Sequence, residues 1–111
     1  MNLAMSSPEA AIVEAWNYLE TQLRESANRQ KLDIAPAVRT MPMVLAALLY
    51  KQGVITEPQH VLITRLRELR NEVAHGLAGI VDIERAMSYI ESALRLAASL
   101  GGARGGVDPA P

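Results

Sequence analysis

Cysteine and phenylalanine are both missing from this 111-residue chain, and one tryptophan and three tyrosines are its only aromatic side chains. Without cysteine there is no disulfide framework and no thiolate zinc site, so nothing points to an oxidising compartment. Long apolar runs are missing too. The longest, Met41 to Tyr50, is interrupted by Pro42 and falls well short of the ~20 residues that span a bilayer. The start, Met1 to Pro8, has no basic segment followed by an apolar core, so a secretory signal is not expected there. These absences together predict a soluble cytoplasmic protein with no membrane partner. A net charge of −1, from 11 basic and 12 acidic residues, excludes a protein that coats nucleic acid by bulk electrostatics. It leaves room for local phosphate contacts by a few arginines.

Familiar catalytic patterns are equally scarce. No glycine-rich loop precedes a helix start, no His-Glu-x-x-His occurs, and no serine stands in a nucleophile-elbow setting. His60 and His75 are the only histidines. About 22 Å of helical rise would separate them, so they do not share a metal. No metal site and no cofactor are expected. Trp16, on an apolar stripe, reads as a core anchor, and His60 as a surface residue without a role.

What is present is helix-forming sequence. Alanine and leucine dominate, and β-branched residues stand singly rather than in runs. Ser6, Pro8 and Glu9 read as a helix start, with Ser6 as the cap, and the helix runs to about Arg29 on a stripe of Ile12, Trp16, Leu19 and Leu23. Residues 31–36 read as a connector. Thr40 is the expected cap of a second helix over Met43 to Leu49, apolar nearly all round and closed by Gly53. Thr56-Glu-Pro-Gln59 repeats the start grammar for a third helix ending near His75 and Gly76. Asp82 caps a fourth, with Ile83, Met87, Ile90, Leu94 and Ala97 as its expected buried stripe. Residues 101–111 are rich in glycine and proline and read as a disordered tail. The expectation is an all-α protein: a compact four-helix, up-and-down-like bundle over residues 1–100, followed by the tail.

The densest group of polar side chains lies in the third helix, Arg65-Leu-Arg-Glu-Leu-Arg-Asn-Glu-Val-Ala-His-Gly76. Leu62, Leu66, Leu69 and Val73 fall within roughly 60° of one another and form its expected buried stripe. Asn71 and His75 lie about 150–170° from that stripe, Arg70 on its flank at about 70°. Arg67, Asn71 and His75 follow one another at i, i+4 and i+8 as one ridge. Glu68 and Glu72 interleave with the arginines, a pattern that also fits a solvated helix face. A histidine beside a helix C-terminus is likewise favoured by the helix dipole without any catalysis. The chemistry available is metal-free RNA cleavage. A neutral imidazole can take the proton of a ribose 2′-hydroxyl, and a guanidinium can stabilise charge on the phosphorane. On one straight helix, however, Arg70 and His75 project about 140° apart, a difficulty that pairing two copies would ease.

Leu66-Arg-Glu-Leu-Arg-Asn-Glu-Val-Ala-His-Gly76 resembles the Arg-x4–6-His motif of HEPN domains, small all-α domains frequent in prokaryotic defence and toxin–antitoxin systems. Asn71 matches the polar residue that commonly follows the arginine in that family. Ser7 to Trp16 and Asp82 to Ile90 resemble the helices flanking the motif in a compact HEPN subgroup. The resemblance implies a homodimer whose two motifs line one cleft, acting as a metal-independent endoribonuclease. Arg70 and His75 would be catalytic, Asn71 supporting and Arg67 substrate-binding, with RNA and a cognate antitoxin or partner protein as partners. The alternative it implies is a non-catalytic HEPN module that binds RNA, nucleotides or another protein.

Overall fold

A serine hydroxyl begins the first helix. In the computed structural model, which describes residues 7–77, 79 and 81–100, Ser7 accepts a hydrogen bond from the amide of Ala10 at 3.0 Å and caps α1, Pro8–Arg29. The cap is therefore Ser7; Ser6, expected in that role, lies outside the described residues. Ile12, Trp16, Leu19 and Leu23 are buried as their spacing requires, joined by Ala11, Ala15 and Ala27.

The stretch read as a plain connector contains a single helical turn, α2, Pro36–Arg39. Arg39 donates to Asn28 Oδ1 at 2.6 Å and ties this turn back to α1. Thr40 closes α2 rather than opening the next helix, because its hydroxyl donates to the carbonyl of Ala37 at 2.8 Å. The next helix, α3, Pro42–Lys51, starts from Met41 with no side-chain cap. Proline at its first position has no amide to satisfy, so the missing cap costs little. Leu45, Ala46 and Leu49 are its buried face, while Val44 points outward.

Thr56 and Gln59 form the expected capping box at the head of α4, Glu57–Ala74. Gln59 also reaches across the bundle to donate to the Ser99 hydroxyl at 3.1 Å. Asp82 Oδ1 accepts from the amide of Arg85 at 2.8 Å and starts α5, Ile83–Leu100. Arg29 donates to the Leu100 carbonyl at 2.6 Å, so the C-terminal ends of α1 and α5 adjoin and the two run parallel. Pairing of Gln59 with Ser99 and of Tyr89 with Leu66 sets α4 antiparallel to α5.

The result is an all-α helical bundle of four helices and one short turn, with no strand among the described residues. α1 is its spine: it packs most heavily on α5 and also on α4 and α3, whereas α4 and α5 touch each other sparingly. The tail expected over residues 101–111 lies outside the described residues. No described helix is long and apolar enough to cross a membrane.

Two stripes fall elsewhere than expected. On α4 the fully buried side chains are Ile63 and Leu66, with Leu62, Leu69 and Val73 only partly covered. On α5 the buried face is Ala86, Tyr89, Ile90, Ala93, Leu96, Ala97 and Leu100, whereas Ile83 and Met87 are 58% and 60% exposed. α5 is apolar over about half its circumference, and periodicity alone does not say which part of so wide an arc meets the neighbours.

Candidate functional site

The shift of the α4 stripe matters most at Arg70. Ile63 and Leu66 project about 60° apart, and Arg70 projects between them. Its side chain is accordingly half-buried rather than a flank residue in solvent, and its Nε is fully shielded with no hydrogen-bond partner. Tyr89 of α5 lies against the same region. Its hydroxyl donates to the Leu66 carbonyl at 2.9 Å. Burial pushes that phenol well above its ordinary range; the Arg70 guanidinium pulls it down and Glu20 of α1 pushes it up. Arg70 thus sits half-buried where α1, α4 and α5 meet, close enough to Tyr89 for its charge to act on the phenol.

Nη1 of Arg70 donates to Asn71 Oδ1 at 3.3 Å, which holds the guanidinium against its neighbour on α4. Asn71 itself is half-buried, and its carbonyl accepts from the amide of His75 at 3.0 Å. His75 is the C-terminal cap of α4, with an exposed ring. Gly76, at φ 71°, then donates to Val73 at 3.1 Å and Leu77 donates to Glu72 at 2.7 Å, the closing pair of a Schellman turn. The His75 backbone is therefore held from both sides although its ring is not.

Of the residues singled out from sequence, Arg70 and Asn71 are in contact, and His75 is joined to Asn71 through the backbone. Arg67 is exposed on the outer side of α4 and has no side-chain partner among the described residues. Tyr89 and Glu20 were not anticipated as neighbours of Arg70. A tyrosine at the centre of the small-residue face Ala86–Ala93 was the available signal, since a buried hydroxyl needs an acceptor on the facing helix. His60 carries a structural role: its ring stacks on Tyr50 with centroids 5.1 Å apart and planes within 2°, pinning the end of α3 to the start of α4. No three potential metal ligands gather among the described residues.

Comparison of the chain with protein-family models, with curated proteins and with solved structures finds no match in any of the three.

Proposed function

We propose that the protein is an HEPN-like, metal-independent endoribonuclease of the toxin or defence kind, working as a homodimer. The observation that carries this reading is the double use of Asn71. Its side chain holds the Arg70 guanidinium, and its carbonyl holds the His75 backbone one turn further on. That arrangement ties the arginine side chain to the residue one helical turn before the histidine. In the proposed reaction the His75 imidazole takes the proton from a ribose 2′-hydroxyl. O2′ then bonds to phosphorus, the bond to O5′ breaks, and the departing O5′ takes up a proton. Arg70 faces the charge that grows on the non-bridging oxygens. The products are a 2′,3′-cyclic phosphate and a 5′-hydroxyl.

The dimer is supported by the apolar surface beside this end of α4. Leu77, Ile83 and Met87 are 75%, 58% and 60% exposed, and antiparallel packing sets the start of α5 beside the end of α4. A second copy covering that surface would bring two His75 side chains toward one cleft. The deciding experiment is cleavage of single-stranded RNA in EDTA by the wild type and by His75→Ala. Cleavage by the wild type alone is expected. Activity that needs added metal, or that survives the alanine change, overturns the reading. The same exposed surface also supports a non-catalytic interaction module, which predicts a stable complex with a second protein and no RNA turnover at high protein concentration.

A further inference from the structure

The sparing contact between α4 and α5 leaves an open cleft lined by residues of those two helices. Arg65 of α4 and Arg85 of α5 line it together with Ser88, Ser92, Leu69 and Tyr89. Its volume is about 280 Å³, at the lower edge of the roughly 300–1,000 Å³ of pockets that hold drug-sized molecules. No carboxylate lines it among the described residues, in a protein whose acids outnumber its bases.

Both arginines are also uncommitted. Arg24, Arg29, Arg39, Arg70 and Arg95 each donate to a hydrogen-bond acceptor, whereas Arg65, Arg67 and Arg85 have no side-chain partner among the described residues, and of these three Arg65 and Arg85 line the cleft. The serines differ from their counterparts in the same way. Thr21, Thr64 and Ser99 turn their hydroxyls back onto carbonyls of their own helix, while those of Ser88 and Ser92 make no such bond among the described residues. Two guanidiniums and two free hydroxyls converging from two helices are a donor set without an acceptor. Guanidinium forks match phosphate geometry, and hydroxyls can donate to the remaining oxygens.

We propose that this cleft is a phosphate-binding site formed by Arg65, Arg85, Ser88 and Ser92. On the endoribonuclease reading, on which this assignment of the source rests, the phosphate belongs to the RNA strand under cleavage, a few nucleotides from the bond that His75 attacks. Arg65 precedes His75 by ten residues along α4, about 15 Å of rise, which a stacked strand lying along α4 spans in about four nucleotides at ~3.4 Å each.

Two measurements test it, each on wild type and on the Arg65→Ala/Arg85→Ala double variant. Both arginines are exposed and make no side-chain bonds among the described residues, so the variant keeps the fold, which circular dichroism verifies. The first is fluorescence anisotropy with a short single-stranded 2′-O-methyl oligonucleotide, which keeps its phosphates but cannot be cut. The second is an NMR titration with inorganic phosphate, following the amides of Ser88 and Ser92. The expected result is a loss of oligonucleotide affinity of at least about tenfold in the variant, with a weaker salt dependence, and phosphate shifts seen only in the wild type. Oligonucleotide binding that is unchanged in the variant overturns the cleft and leaves the nuclease reading standing. Phosphate shifts confined to the wild type, without any RNA binding or cleavage, support the cleft and overturn RNA as its source. No response to either probe overturns the site.

Discussion

At the scale of single residues, Arg70 and Tyr89 do what neither position announces alone. Arg70 is half-buried and held by Asn71, so charge and hydrogen-bond geometry have separable effects. Arg70→Lys keeps the charge and most of the stem but loses the fork. The expected outcome is a melting temperature within a few degrees of wild type and, under the proposed endoribonuclease function, RNA cleavage lower by roughly 100-fold. Tyr89→Phe removes the bond to Leu66 and should cost about 1 kcal/mol in urea denaturation. It should also alter the alkaline limb. Burial keeps the Tyr89 proton bound in the fold well above the ordinary phenol range, whereas the unfolded chain releases it near about pH 10. Above that pH the unfolded state binds fewer protons than the folded state. Stability then falls as pH rises, by up to about 1.4 kcal/mol per pH unit from this one group. The phenylalanine variant should lose that contribution and show a flatter alkaline decline.

At the scale of elements, three helix ends share one construction. α1, α3 and α4 close with the same pair of backbone bonds, and the left-handed position is Lys31, Gly53 and Gly76 in turn. A Cβ at Gly53 would meet nothing within 4 Å, so Gly53→Ala should cost only the backbone strain, about 1 kcal/mol. Lys31, at φ 56°, already bears that strain, and Lys31→Gly should raise stability by a similar amount; chemical denaturation of both variants checks the pair. The helix starts were legible to different degrees for local reasons. The Thr56–Gln59 box and the Asp82 cap lie where sequence places them, because each closes on its own backbone within three residues. Thr40 closes α2 instead of opening α3, and nothing local in the sequence shows that Ala35 to Thr40 turns back on α1 through Arg39 and Asn28.

At the scale of the whole molecule, α5 carries more apolar surface than the bundle uses. Ile83 and Met87 lie outside the core, and Met87→Lys should change the stability of the folded monomer by less than about 0.5 kcal/mol. Leu49→Ala, in a fully buried position, should cost about 2–5 kcal/mol. Under the dimer proposal, sedimentation should find the wild type paired and Met87→Lys monomeric. A monomeric wild type at micromolar concentration would remove the shared cleft.

Amino-acid order by itself determined the all-α class, the four principal helices and most of their ends, since spacing, capping and glycine stops act over a few residues. It also brought Arg70, Asn71 and His75 onto one helix. Only the tertiary structure decided which way those helices face. The arcs of α4 and α5 are wide enough to pack in several rotations, and their contact with α1 selected one that turns Arg70 inward and Met87 outward. The cleft between Arg65 and Arg85 follows from the same choice, because residues twenty apart in sequence meet only after α1 has held α4 and α5 side by side.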